Sequence, residues 1–321
     1  RAAGSASTTA TPASTRLRPL IHAMSFNIIP VGSPASAPNT GQWSATLTLW
    51  SAHERGIPSA TASSSSSVSG EGTSRCDIND SPPGSAPAAV ALRMAQRTLK
   101  EVIALVQYAM AQQDNGHPAN GLQIVIEHGA LRVAATDGHR VALASRPIAT
   151  QGLDRQEIIV PRHAIHELSQ RLAHDDQPVE VVISEHQVRF VFGGRTLVAK
   201  PMQGRFPAVE SVVPKHPAKP IVLPRAALQQ GLQRLAIGSS DAVCCVRWAL
   251  APGRLTISGA SPAQRPEAIE IDYAGEPLEI GFNAGYLLDL LAALEGDMIE
   301  CSFGGATTPG VFRMAGRDDF Q

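Results

Sequence analysis

Cysteine is scarce in this chain: Cys76, the adjacent Cys244 and Cys245, and Cys301 are all there is. None forms a C-x-x-C pair, which argues against a zinc ribbon or a thioredoxin-like redox site. Adjacent cysteines in an apolar run read as small buried hydrophobes in a reducing compartment. No uninterrupted apolar run reaches bilayer-spanning length, so the expectation is a soluble chain. Excess charge is missing too: the formal net charge is −1. That argues against a surface coated for nucleic acid but leaves room for a local basic face. G-x-S-x-G, a Walker phosphate loop and H-E-x-x-H are all absent from the sequence. What is present is length: 321 residues are enough for two or three domains with their own cores.

Composition changes sharply near residue 88. Residues 1–88 are rich in Ser, Ala, Thr and Pro, as in "SATASSSSSVSG" (59–70), and carry no acidic residue before Glu54. Apart from "MSFNII" (24–29) and "WSATLTLW" (43–50), neither helical nor strand periodicity is clear. Such a segment buries too little apolar surface to offset its ordering entropy. Three readings stand side by side: a disordered tail, a transit-like segment poor in acid at its start, or a misassembled part of a fragment whose first residue is Arg.

From residue 89 the pattern becomes regular. "ALRMAQRTLKEVIALVQYAMAQQD" (91–114) predicts a helix with Leu99, Val102, Ile103, Val106 and Met110 on one face. Short strands follow at "LQIVIEHG", "ALRVAATDG", "HRVALASRP" and "QEIIVP", then a helix over 161–176 with Pro161 at a favoured first position. "VEVVISEH" and "VRFVFGG" complete this order, and the same order then returns. A helix at 224–238 precedes "CVRWALAPG", "RLTISGAS", "AIEIDYAG" and "PLEIGF"; a second at 283–297 precedes "IECSFGG" and "GVFRMAG". An internal repeat of this size predicts an α+β fold of tandem units, each with two helices packed on antiparallel sheets.

The most unusual stretch is "AATDGHRVALA" (134–144). Strand, Asp-Gly, strand predicts a hairpin with Asp137 and Gly138 at its tip. An enzyme reading would pair Asp137 with His139 as orienter and base, but Thr136 and Ser145 lack the support a nucleophile needs. A metal reading would use His163 and His166 on one helix face, completed by His174, Asp175 and Asp176; the plainer reading is a solvated helix.

Four segments in order, "LRVAATDGHRVALASRPI" (131–148), "EIIVPRHAIHEL" (157–168), "AKPMQGRFPAV" (199–209) and "LEIGFNAGYLLDLLAAL" (278–294), closely resemble the bacterial DNA polymerase III beta subunit, the sliding clamp. The resemblance covers residues 89–321 and corresponds to the family's second and third domains, here 89–214 and 215–321. Residues 1–88 do not resemble the first domain, and the family's C-terminal tail has no counterpart after "RDDFQ".

The resemblance implies the DNA-clamp fold and a processivity factor without catalytic residues, cofactor or metal. The family forms a head-to-tail homodimeric ring around duplex DNA in the cytoplasm, at the nucleoid. Partners dock short extended peptides into a cleft between the second and third domains: the polymerase III catalytic subunit, the clamp loader, other polymerases and mismatch-repair proteins. Carried over by position, the cleft uses Thr136, Gly138, His139, Arg140 and Val141, with Pro207 and Val212, Ala119, and Thr307 and Pro309. Ala119 and Ser211 depart from the family pattern, as does the loop carrying His117 and Pro118. Gln113 matches a residue that touches DNA; Arg97, Lys100, Arg162, Arg171, Arg225 and Arg234 are candidates by helix position. Ile237, Glu267 and Glu270 fall on the dimer side. Two readings stay open beside this one: a peptide-binding module of clamp ancestry that encircles nothing, and a small hydrolase or metalloenzyme using His139 or the His163/His166 face.

Overall fold

The computed structural model describes residues 22–24, 77–79, 90–113, 116–150, 153–214, 219–237, 244–261 and 264–315. Most of 1–88, with Cys76 and the strand-like 43–50, lies outside the described residues. Two short strands of that segment are inside: β1 (His22–Met24) and β2 (Asp77–Asn79).

The first repeat runs β3 (Val90–Ala95), α1 (Gln96–Val106), β4 (Gly121–Glu127), β5 (Ala130–Thr136), β6 (Val141–Pro147), β7 (Gln156–Pro161), α2 (Arg162–Arg171), β8 (Pro178–Ile183), β9 (Val188–Phe192) and β10 (Arg195–Ala199). The second runs β11 (Ile221–Pro224), α3 (Arg225–Ile237), β12 (Cys245–Ala251), β13 (Arg254–Gly259), β14 (Glu267–Glu270), β15 (Leu278–Asn283), α4 (Ala284–Ala293), β16 (Met298–Ser302) and β17 (Gly310–Met314). Every strand pairing is antiparallel.

The helix expected over 91–114 is the main correction. Its first six residues form β3, paired with β8 from Val90↔Ile183 to Ala95↔Pro178. The alternation of buried Leu92 and Met94 with exposed Ala91 and Arg93 is a period of two, masked in the sequence by the helical face that follows. Leu99, Val102, Ile103 and Val106 do form the buried face of α1, while Met110 is buried beyond a 3-10 turn over Gln107–Ala109. The strand β11 was likewise not expected. Pro161 closes β7 and caps α2 from outside.

The two repeats share one strand order. β6-β5-β4-β7 matches β14-β13-β12-β15, and β10-β9-β8-β3 matches the run that ends β17-β16-β11. α1 packs on α2 and α3 on α4, each pair covering its sheets. An uninterrupted core runs through both units, aliphatic around Leu99, Ile103 and Ile165, aromatic around Trp248, Phe282, Phe303 and Phe312. At the junction β1 lies between β6 and β17, so an eight-stranded sheet crosses from one unit to the other.

Candidate functional site

The hairpin tip closes on the pair Thr136↔Val141, leaving a four-residue loop, Asp137–Arg140, longer than the tight Asp-Gly turn expected. Gly138 has φ +88° there, a conformation that a Cβ would strain. Asp137 organises the loop: its Oδ1 accepts from the backbone N–H of His139 (2.9 Å) and of Arg140 (3.0 Å). The Thr136 hydroxyl donates to the Arg140 carbonyl at 2.8 Å and accepts from the Gly138 N–H.

Arg140 is buried, 3% exposed, and holds the units together. Its Nε donates to Asp137 (3.0 Å), one terminal nitrogen to Asp289 of α4 (2.8 Å) and the other to the Tyr108 carbonyl (2.8 Å). The guanidinium carbon lies 4.3 Å from the Tyr286 ring centre and 5.2 Å from that of Tyr108, within cation–π range. Burial pushes the Tyr108 phenol well above its ordinary value, against a lowering from Arg140. Burial also raises Tyr286, aided by Asp137. Both rings therefore face the cation as neutral phenols. Arg140, carried over as a cleft residue, is instead held by its charged end as an anchor between the units.

This wiring is incompatible with the catalytic alternative. Asp137 orients two backbone amides and Arg140 instead of the His139 ring, and the Thr136 proton is given to a carbonyl. The His139 ring lies beside Tyr286, 6.4 Å between centres at 27°. The metal alternative is dispersed as well. His166 Nε2 is hydrogen-bonded to Gln170 at 2.8 Å, His174 lies 3.9 Å from Glu101, and Asp176 pairs with Arg97 at 2.7 Å. Among the described residues no group of three His, Cys, Asp or Glu side chains could hold a metal ion.

Beside the tip is an apolar cluster separate from the main core: Ala134, Val141, Ile159, Phe206 and Val209, with Leu143 and Met202 packed against it. Alternation along β5 and β6 puts Ala134 and Val141 on the sheet face opposite the helices. The "GRFPAV" segment folds over that face through Phe206, and Met202 donates its N–H to Ile159 O at 2.8 Å. Pro207 is exposed, Val212 half-buried and Ala119 buried. The loop with exposed Thr307 and half-buried Pro309 precedes β17. β6 and β17 are both antiparallel to β1, so they run the same way, and this loop and the 137–140 tip meet the same end of β1. Two strand spacings separate them, about 10 Å.

The sequence reading missed Tyr286, Asp289 and Tyr108. The signal for the first two was present: both lie in the α4 segment, and their spacing puts both near one helix face.

The candidate cations all lie on helices but differ in their neighbours. Arg97, Arg171 and Arg234 are neutralised by Asp176, Glu167 and Glu267 at 2.7–2.8 Å. Lys100, Arg162 and Arg225 donate to carbonyls (Leu172; Gln112; Gly296 and Leu291) and have no acidic partner among the described residues. Gln113 is exposed. Ile237, at the end of α3, is 87% exposed, and β14 with Glu267 and Glu270 is the edge strand of its sheet.

The fold and this junction define a class: a repeat-built α+β scaffold, assembled for contact and without a metal-binding cluster among its described residues. Residues 93–208 match the family model for the DNA polymerase III beta subunit, central domain, and residues 210–321 match that for its C-terminal domain. The chain belongs to this DNA polymerase III beta subunit family. It is 35% identical over 235 residues to the beta sliding clamp of Pseudomonas putida, covering 73% of this chain and 64% of that protein. To the beta sliding clamp of Escherichia coli K12 it is 36% identical over 208 residues, 64% of this chain and 57% of that one. A crystal structure of the DNA polymerase sliding clamp from Pseudomonas aeruginosa with ligand superposes with a TM-score of 0.68 at 34% identity, over 75% of this chain and 66% of that one. The chain thus spans under two thirds of the length of the curated relatives just named.

Proposed function

We propose that the chain works as a non-catalytic DNA sliding clamp, tethering polymerase and other replication and repair partners to duplex DNA in the cytoplasm. Partners dock extended peptides at the junction of units 89–214 and 215–321. The observation that carries this is the second apolar cluster. It is a packed apolar floor of buried Ala134, Val141, Ile159, Phe206 and Val209, over which a peptide would lie, set beside a loop tied down by Asp137 and Arg140. Floors of this kind bind peptides through side-chain pockets and a few main-chain hydrogen bonds. Gly138, His139, Pro207 and Val212 form the rim, with Thr307 and Pro309 across β1.

DNA is held weakly and without sequence preference through Lys100, Arg162 and Arg225, the helix cations without an acidic partner among the described residues, with Gln113 beside them. Ile237 and the β14 edge face a second copy, in the homodimeric arrangement of the ring.

A fluorescent Gln-Leu-rich peptide ending in an aromatic residue, titrated into the protein, tests the cleft. Saturable binding, weakened at least about tenfold by Pro207→Ser combined with His139→Ala, is expected. Both positions are exposed, so the fold is spared. Absence of binding, or binding indifferent to the double variant, would sink the reading.

A further inference from the structure

Gln96 opens α1 and Arg225 opens α3, and the two hold the same place in their repeats. Each donates its backbone N–H to the residue just before the next strand of its sheet, Gln177 O at 2.9 Å and Asp297 O at 2.8 Å. Their side chains differ. In the second repeat Arg225 turns back and donates to the Gly296 and Leu291 carbonyls. In the first, the shorter Gln96 ends beside a cavity of about 330 Å³. Gln96 is 4% exposed, and its Oε1 accepts from the Ala173 N–H at 3.1 Å, which leaves Nε2 as the outer end of the amide. That Nε2 has no hydrogen-bond partner among the described residues. It is not sealed either, because Trp248 Nε1 is the one side-chain nitrogen or oxygen among them that is both buried and unpartnered. A buried amide donor therefore faces an open cavity, where it gains from an acceptor brought by a ligand.

Three charged side chains line the same cavity. Arg171 is held by Glu167 at 2.8 Å, one helical turn away, and adds no net charge. Arg195 and Asp175 remain, one of each sign, and neither has an ion-pair partner among the described residues. Asp175 accepts from the Gln177 N–H through Oδ1 at 3.1 Å, which leaves Oδ2 available. Phe192 and Pro178 supply apolar wall.

We propose that this cavity is a binding site for a small zwitterion of the α-amino-acid class. Its carboxylate is received by Gln96 Nε2 and the Arg195 guanidinium, its ammonium by Asp175, and its aliphatic side chain by Phe192 and Pro178. The charge balance selects this class. A simple anion would set like charge against Asp175, and a simple cation would set it against Arg195; a ligand carrying both signs satisfies both, through hydrogen bonds between ionised groups. The volume falls at the small end of the range for ligand sites, which suits a single amino acid. The site is also separate from the surfaces already described. It lies where α1 starts and α2 ends, whereas Arg162, Gln112 and the Arg140 contact to Tyr108 lie at the opposite end of that helix pair.

The test is an NMR titration of the full-length, isotope-labelled chain with L-leucine, read at the side-chain amide of Gln96. A saturable shift is expected. Isocaproate, which lacks the ammonium, and isoamylamine, which lacks the carboxylate, should each bind about tenfold more weakly, the loss of one charge-assisted contact. Arg195→Gln should weaken L-leucine about tenfold and leave isoamylamine unaffected. Asp175→Asn should weaken L-leucine to a similar degree and leave isocaproate unaffected. Both side chains are exposed, and the second substitution keeps the acceptor for the Gln177 N–H, so the fold is spared. No saturable shift with L-leucine overturns the proposal. So does isocaproate or isoamylamine binding as tightly as L-leucine, and so does L-leucine binding that is indifferent to both variants.

Discussion

β6 and β14 hold the same place in their repeats, third strand of a four-strand meander, yet their surroundings differ at both ends. β6 is entered through the four-residue loop that Asp137 ties down, and β1 covers its outer edge. β14 follows a longer stretch after β13 and has no strand on its outer side among the described residues. It alternates half-buried and exposed residues, with Glu267 and Glu270 among them. One fold has thus been given a sealed edge and an open one. The sealed edge carries a tip tied by the hydrogen bonds of Asp137 and Thr136. The open edge, with exposed Ile237 nearby, presents unpaired backbone that natural sheets cover or guard with charge. Two copies of one unit acquire different uses through what lies beside them, while their strand order stays the same.

The cores of the units differ as well, and the largest expected effect comes from there. Trp248 is fully buried and edge-on to Phe282, Phe303 and Phe312, with ring centres 5.0–6.1 Å away. Its indole N–H has no hydrogen-bond partner among the described residues, so its stabilisation comes from packing. Trp248→Ala should cost about 3–5 kcal/mol, read as a lower urea midpoint. If the units unfold independently, only the transition of the aromatic unit moves; a single shifted transition means the shared sheet couples them.

Arg140→Met comes next. It preserves most of the volume but leaves Asp137 and Asp289 facing a buried gap. Asp289 is half exposed and Asp137 keeps its two backbone donors, so the loss should be about 2–3 kcal/mol, short of a fully buried pair. Asp289→Asn, which leaves Asp137 in place, should cost under about 1 kcal/mol. Denaturant titrations of the two variants compare them; equal costs would mean the link to α4 is the whole of the Arg140 contribution.

What was legible beforehand follows the physics of pattern. The repeat, the four helices and the meanders were visible because amphipathic periodicity is local and survives in the sequence. The "TDGHR" tip was visible as a turn, since Asp and Gly declare one. β3 was not, because its six residues run without a break into α1, and propensity there favours helix throughout. The link from Arg140 to its partners was hidden for a different reason: α4 spacing groups Asp289 with Tyr286 on one helix face, but only tertiary structure brings Arg140 to Asp289 and to the Tyr108 carbonyl. The strand β1 was least legible. Three residues in a Ser- and Ala-rich segment carry no period, and their pairing is decided by an empty place in a sheet far along the chain.

Ile237→Glu should leave the stability of the isolated chain within about 0.5 kcal/mol, because the side chain already faces solvent. If the open edge of β14 meets a second copy, the same change should lower self-association in sedimentation velocity. Unaltered association would return Ile237 to the ordinary surface.

The smallest effect expected is at Glu267, on that same edge. Arg234 donates to both its oxygens at 2.7 and 2.8 Å, and this hydrogen bonding holds the carboxyl below its ordinary value of 4.5. A carboxylate depressed in the folded state contributes stability above the unfolded value. That contribution is lost as pH falls through the lower folded value. The gap between the unmodified chain and Glu267→Gln should therefore be constant near neutrality and shrink below pH 4.5, measured as urea midpoints across a pH series. It should be small, since Arg234 is well exposed and Glu267 only half-buried. Dimerisation through the β14 edge would remove that solvent, and the gap would widen with protein concentration at neutral pH. A gap independent of concentration would mean that this pair serves only to staple β14 to α3, leaving recognition at the open edge to the backbone and to Ile237.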